Sequence, residues 1–211
     1  MCRGIGAFAT VRAAAGEGAG GDDGELMADV ELAHTSQLDA ATLADIRAML
    51  DIAYEGEFAD EDWDHTLGGM HALVREGGEI VAHGAVVARA FLHLPVGRSD
   101  WAAARPLRAA YVEGVAVRRD RRRQGLGAAV MARLRVAIVR AYDLGVLSSS
   151  DDGRSLYEAQ GWLPWKGKTF VLAASGIART EEEDDGICVL PVRPLDLTGS
   201  LACDWRSGDV W

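Results

Sequence analysis

Paired cysteines are missing from this chain. Its three thiols, Cys2, Cys188 and Cys203, are scattered without a repeated spacing, which argues against a disulfide framework and against a cysteine zinc site. Reduced thiols suit a cytoplasmic protein. The five histidines (His34, His65, His71, His83, His93) contain no His-x-x-x-His pair, so no metal is assigned. No apolar run approaches the ~20 residues that span a bilayer. Arg12 interrupts the short apolar stretch 4–15 and a Gly/Asp tract follows it, so neither a membrane association nor a secretory signal is expected. Positive charge is also short, with 22 Lys and Arg against 32 Asp and Glu, a formal net charge of −10. A nucleic-acid partner needs a basic face to displace counterions, and none is expected here; a cationic ligand fits better. Also missing are the Gly-x-x-x-x-Gly-Lys-Ser/Thr loop and the Gly-x-Gly-x-x-Gly fingerprint, which removes a nucleotide phosphate donor and a nicotinamide cofactor as first choices.

What is present is enough for one core. Of 211 residues, 49% are hydrophobic, as a single domain without staples requires. Residues 1–27 are rich in Gly and Ala and poor in large apolar groups, which predicts a disordered tail ahead of one domain over 28–211. Val30 to Ala33 reads as a first strand. Ser36 or Asp39 can cap a helix carrying Leu43, Ile46, Leu50 and Ala53 at helical spacing, and a short helix is predicted after Asp60, ending at Gly68-Gly69. His71 to Arg75 and Glu79 to Phe91 read as antiparallel strands joined at Gly77-Gly78, a pair able to take positive φ in a tight turn. The stretch 94–108, with Pro95, Gly97 and Pro106, reads as an excursion between strands. A strand over Tyr111 to Val117 then feeds a helix over Gly125 to Tyr142, with Leu126, Val130, Leu134, Ala137, Ile138 and Ala141 on one face and Gly145 as its stop. Val146 to Ser150 is a strand, Gly153 to Gln160 a helix, and Gly161-Trp162 opens another strand. Thr169 to Ala173 and Ile187 to Val192 complete the predicted β content. This order specifies an α/β fold, a mixed central sheet with helices on both faces. A right-handed crossover places the turn before Gly125 at the carboxyl edge of two parallel strands.

That turn, Arg122-Arg123-Gln124-Gly125-Leu126-Gly127, is the most informative segment. Glycines at a helix start let the backbone approach an anion while the first-turn amides point at it, a seat for phosphate. The spacing Arg/Gln-x-x-Gly-x-Gly/Ala resembles the pyrophosphate loop of the GNAT acetyltransferases, whose donor is acetyl-coenzyme A. About thirty residues later, Leu156-Tyr157-Glu158-Ala159-Gln160-Gly161-Trp162 resembles a second mark of that superfamily. Five further segments look like the aminoglycoside 2′-N-acetyltransferases of mycobacteria and related bacteria. They are Glu61 to Leu73, Tyr111 to Val117, Leu147-Ser148-Ser149-Ser150, Gly161-Trp162-Leu163-Pro164-Trp165 and the terminal Cys203-Asp204-Trp205-Arg206-Ser207-Gly208-Asp209-Val210-Trp211. The likeness runs from about His34 to the last residue. The chain departs from the family in its N-terminal tail, in the Pro95–Pro106 excursion, and in Glu57, where the family usually has aspartate.

The resemblance implies the GNAT fold, acetyl-coenzyme A as donor, a polycationic aminoglycoside or amino sugar as acceptor, and a homodimer. Acetyl transfer to an amine needs a polarised thioester carbonyl, a neutral amine and a proton for the departing thiolate. By resemblance, the amides of Val115, Ala116 and Val117, freed where their strand splays from the Leu147 strand, hold pantetheine and the acetyl oxygen, with Gly114 marking a bulge. The loop Arg122, Arg123, Gln124, Gly125, Leu126, Gly127 and Ala128 takes the pyrophosphate. Glu113 binds the amine and helps remove its proton through water. Tyr157 faces the sulfur as general acid; a phenol with an ordinary pKa of about 10 does so partly by hydrogen bonding. Glu57, Asp62, Gly114, Ser148, Asp184, Asp185, Asp209 and the carboxylate of Trp211 are the implied acceptor contacts. An acid run such as Glu181 to Asp185 is by itself ordinarily a solvated face. The aromatic end Asp-Trp-Arg-Ser-Gly-Asp-Val-Trp is unlike a fraying terminus and is expected to pack into the site. Competing readings are an endogenous amino-sugar acceptor, a non-catalytic acyl-coenzyme A or aminoglycoside binder, and a protein acetylase.

Overall fold

The structure, a computed structural model, describes residues 28–149 and 151–211. The tail expected over 1–27, and Ser150 at the end of a predicted strand, lie outside the described residues. The elements run β1 (Val30–His34), α1 (Ala40–Ala53), α2 (Asp60–Thr66), β2 (Met70–Glu76), β3 (Glu79–Leu94), β4 (Arg105–Val117), α3 (Leu126–Ala141), β5 (Leu144–Ser148), α4 (Asp151–Glu158), β6 (Leu163–Pro164), β7 (Thr169–Ala173), β8 (Gly176–Arg179), β9 (Ile187–Pro191) and β10 (Ser200–Asp204). They build one mixed sheet in the order β6-β9-β5-β4-β3-β10-β7-β8. The long strand β3 pairs with β4 from Ala82 to His93. Its other pairings are with β2 over Glu79 to Val86, which carries β1, and with β10 over Phe91 to Leu94. Among the described pairs, only β4 with β5 and β10 with β7 are parallel.

Helices cover both faces, as the alternation of the strands requires. Ala72 and Val74 face α3, whose buried stripe is Leu126, Val130, Met131, Leu134 and Ile138, while Leu73 between them packs with Ile46 and Leu50 of α1. Asp39 starts α1 by accepting from the Thr42 amide at 2.7 Å, the capping a helix start needs. Met131 rather than the exposed Ala141 shares the α3 core stripe.

Several boundaries differ from the sequence reading. The excursion is shorter than 94–108: β4 already begins at Arg105, opposite His93, and Leu107 is buried. Pro106 is tolerated inside it because β5 joins β4 only from Ala109 onward, leaving no partner there for a missing N–H. Trp101 in the remaining loop packs edge-on against Phe170, with ring centroids 5.1 Å apart. Gly145 does not stop α3. The helix ends at Tyr142, whose amide bonds the Ile138 carbonyl at 3.1 Å, and Gly145 lies inside β5 beneath Trp162. Gly161-Trp162 leads only into the two-residue β6. Two strands, β8 and β10, lie outside the predicted β content, and β10 sits inside the sheet between β3 and β7.

Candidate active site

The site forms where β4 and β5 part. Their pairing covers only Ala109 to Tyr111 against Leu144 to Val146, so the ends of both strands flank an opening. A bulge aims β4 there. His83 pairs with Ala116 but Ala85 with Glu113, so Gly114 and Val115 together face one residue of β3, and Gly114 has φ +56°, a left-handed value that favours glycine. Past the bulge the strand alternates. The Val115 carbonyl accepts from the Tyr54 hydroxyl at 3.1 Å, and the Val117 carbonyl accepts from Arg122 Nε at 3.3 Å. The peptides of Val115 and Val117 therefore face the opening, whereas that of Ala116 turns toward β3.

A cleft of about 630 Å³ follows from this opening to the start of α3. It is lined by Val115, Ala116, Val117, Arg122, Arg123, Gly125, Leu126, Gly127, Ala128, Ser148 and Tyr157, with Ala53 and Tyr54 from the end of α1. Gly125 caps α3 in the left-handed conformation at φ +80°, with open space where a Cβ would stand. The first-turn amides of Leu126, Gly127 and Ala128 precede the first helical bond, which the Ala129 amide makes to Gly125, so they are available to an anion. Arg122 is engaged with the carbonyls of Val117 and Ala53, pinning α1 to the loop. Arg123, held at φ +61°, makes no ion pair among the described residues. Gln124 is exposed, bonds the Asp120 carbonyl at 3.4 Å and does not line the cleft.

A smaller cleft of about 120 Å³ adjoins the first, sharing Tyr54, Val115, Ser148 and Tyr157, and adds Tyr111, Glu113, Gly114, Leu147 and Trp211. Tyr157 lies on α4 against Trp162; burial pushes its phenol up to about 12, so it stays a proton-bearing donor. Glu113 is largely buried at 14% side-chain exposure and paired with Arg206. Burial raises its carboxyl, and Arg206 works against that rise. The hydroxyl of Tyr111 is buried without a partner among the described residues, and its ring is stacked by two guanidinium groups, Arg89 at 4.9 Å and Arg206 at 5.1 Å.

Behind the bulge lies a buried chain of hydrogen bonds. His83 Nδ1 meets the Gly114 carbonyl at 2.7 Å, His83 Nε2 meets His71 Nδ1 at 3.0 Å, and His71 Nε2 meets the Thr35 hydroxyl at 2.8 Å. A carbonyl only accepts, so His83 carries its proton on Nδ1, His71 donates from Nδ1, and Thr35 donates to His71. Burial holds both rings neutral, pulling His83 down to about 3 and His71 to about 4.

The expected acidic contacts do not all converge. Asp62 accepts from the Ala59 amide at 2.9 Å at the start of α2, close enough to Glu113 to raise its carboxyl. Glu57 lies exposed in the turn before α2. Asp184 is engaged elsewhere, accepting from the amide and hydroxyl of Thr169 and paired with Arg179. It faces a separate cleft with Lys166 and Lys168. Asp185, at φ +69°, is exposed and its carbonyl accepts from Arg154 at 2.6 Å. Asp209 is exposed, and its carbonyl accepts from Arg206 at 2.8 Å. Trp211 is buried, its indole donating to the Thr180 hydroxyl at 3.0 Å and its ring edge-on to Phe91. The sequence reading gave no role to Tyr54, Arg89, Tyr111, His71, His83 or Arg206. His71, Tyr111 and Arg206 lie in segments that carry the family resemblance, whereas Tyr54, Arg89 and His83 lie in none of them.

A bulged, splayed strand feeding a glycine-capped helix defines an acyl-coenzyme A acyltransferase architecture, and the comparisons with known proteins agree. The family model "Acetyltransferase (GNAT) family" matches residues 40–162, more than half of the chain. An aminoglycoside 2′-N-acetyltransferase of Mycolicibacterium fortuitum is 46% identical over 193 residues, covering 89% of this chain and 94% of that one. The structure of the GNAT family N-acetyltransferase YhbS from Escherichia coli, in complex with CoA, superposes with TM-score 0.57 at 15% identity, over 86% of this chain and 92% of that one. The Escherichia coli ribosomal-protein-S18-alanine N-acetyltransferase gives TM-score 0.51 at 16% identity, over 80% and 97%. The chain belongs to the GNAT acetyltransferases and, within them, to the aminoglycoside 2′-N-acetyltransferase family. Among the described residues, no cluster of three or more His, Cys, Asp or Glu is placed to hold a metal ion, and no helix is long and apolar enough to cross a membrane.

Proposed function

We propose that this enzyme moves an acetyl group from acetyl-coenzyme A to the 2′-amine of an aminoglycoside, by direct attack while both substrates are bound. One observation carries the reading: the two clefts meet at Ser148 and Tyr157, with an anion seat at one end and a buried carboxylate at the other. The first-turn amides of α3 and the Arg123 guanidinium suit a pyrophosphate, and the peptides of Val115 and Val117 suit a pantetheine arm. Acetyl-coenzyme A supplies the activated acyl group as a thioester. The Val115 amide, aimed by the bulge, supports the oxygen on which charge develops. Glu113 holds the acceptor ammonium and, through water, takes a proton from it, leaving the neutral nitrogen that attacks the thioester carbonyl. Tyr157 donates to the sulfur as it leaves. Trp211 lines the small cleft with Glu113 and Asp62 acts on the Glu113 carboxyl; together with the exposed Asp209 of the same end segment they suit the remaining ammonium and hydroxyl groups of a polycation. We place the enzyme in the cytoplasm as a homodimer, where it confers resistance by modifying the drug.

The test is thiol release from acetyl-coenzyme A with matched acceptors. Turnover is expected with a 2′-amine compound such as tobramycin and not with a 2′-hydroxyl compound such as kanamycin A. Equal turnover with both moves the reacting amine elsewhere on the drug. Coenzyme binding without turnover of either transfers the reading to an endogenous amino sugar.

A further inference from the structure

Glu113 sits in a position that elementary electrostatics disfavours. It projects from the middle of β4 with 14% of its side chain exposed, and an isolated buried carboxylate gives up its charge rather than bear the lost hydration. Its partner is Arg206, itself 15% exposed, which comes from the segment after β10. One guanidinium does four things there. It pairs with Glu113, bonds the Asp209 carbonyl through Nε at 2.8 Å, bonds an oxygen of the terminal Trp211 carboxylate at 3.3 Å, and lies over the Tyr111 ring. That planar fork is what arginine offers and lysine does not.

We propose that Arg206 positions Glu113 for the acceptor amine: its guanidinium is the counter-ion that lets a buried carboxylate stay charged until a cationic acceptor arrives. Its bonds to the Asp209 carbonyl and to the terminal carboxylate of Trp211 tie the C-terminal segment to the same guanidinium. The other groups facing Glu113 do not replace it. Arg89 is on the same side of the balance, but all three of its nitrogens are already engaged, with the Asp204 carboxylate at 2.8 Å and the carbonyls of Asp204 and Val210. Asp62 from α2 opposes ionisation of Glu113, and the phenols of Tyr111 and Tyr54 bring no charge. His65, bonded to the Ser207 carbonyl at 2.9 Å, is made harder to protonate by burial and then by Arg206. An ammonium entering the small cleft meets a carboxylate that is already charged and already aimed, and shares it with Arg206.

The proposal rests on Glu113 as the group that meets the amine, so its test separates the two. The pH profile of kcat/KM for the acceptor is measured for wild type, R206Q, R206K and E113Q, together with a carbon-13 NMR titration of the Glu113 carboxyl. Removing an opposite charge at contact distance raises a carboxyl by about 1–3 pH units. R206Q is expected to move the acid limb upward by about one unit or more, with roughly a tenfold loss below it, and the NMR midpoint with it. R206K keeps the charge without the fork, so its limb stays near that of wild type while KM for the acceptor rises. A uniform fall in kcat/KM with an unmoved limb and NMR midpoint in R206Q would overturn the proposal. If R206Q does not fold, the wild-type titration and R206K decide: a Glu113 that is neutral near pH 7, or an R206K midpoint raised by a unit, overturns it. Full turnover in E113Q refutes the base assignment instead, and the NMR midpoints still judge the Arg206 pairing.

Discussion

At the scale of single residues, the same side-chain chemistry serves two purposes in this protein. Glu113 and Asp184 are both acids paired with arginine, yet only Glu113 lines the paired clefts. Asp184 accepts four hydrogen bonds, two from Thr169 and two from Arg179, and ties the turn after β8 to the start of β7. Asp184→Asn is therefore expected to lower stability by about 1.5–3 kcal/mol, the range for hydrogen bonds to a charged group, with little change in KM for the acceptor. Asp209→Asn should do the reverse, leaving the melting temperature in place and raising KM. Melting curves and initial rates on both variants check this, and a raised KM in Asp184→Asn alone would put Asp184 at the substrate. The resemblance placed both acids in one group. Sequence could not separate them, because the partner of Asp184 is set by how β7 and β8 fold back on each other.

At the scale of elements, the bulge in β4 is held from behind. Thr35, His71 and His83 link the turn after β1 through β2 and β3 to the Gly114 carbonyl. Both imidazoles are neutral in the fold, with values depressed to about 4 and about 3, against about 6.5 when the chain is unfolded. The unfolded state therefore takes up protons that the folded state refuses, and stability falls as pH drops from about 6.5 toward 3. His83→Gln should flatten that part of the curve relative to wild type, read as melting temperature between neutral pH and pH 4.5. Parallel curves for the two proteins would remove the pair from the acid response. In sequence these histidines looked like scattered residues without metal spacing, which is true but incomplete. They are adjacent only because β2 and β3 pair antiparallel, with Leu73 opposite His83 and His71 opposite Ala85.

At the scale of the whole molecule, a formal charge of −10 acts on a polycation before any contact forms. Fields of one sign raise encounter rates and are screened by salt. The screening length falls from about 30 Å at 0.01 M to about 8 Å at 0.15 M, so kcat/KM for the acceptor is expected to fall several-fold over that range. A flat salt profile would mean that only short-range contacts recruit the acceptor. Much of the architecture was written locally. The 3.6-residue stripe of α3, the Gly77-Gly78 turn, the β4–loop–α3 unit and the left-handed Gly125 all follow from periodicity and backbone sterics over a few residues, and these alone locate the anion seat. Other features answer to distant partners. β10 has no strong strand signal of its own and exists because the exposed edges of β3 and β7 lie ready to pair with it. Pro106 sits in a strand because β5 stops short of it, and Arg206 reaches Glu113, 93 positions away, only after β10 has delivered the chain end to the small cleft. Local sequence determined the helices, the turn chemistry and the loop that suits a pyrophosphate. The tertiary structure alone decided which acids, arginines and histidines meet, because charge and hydrogen-bond pairing depend on separation in space.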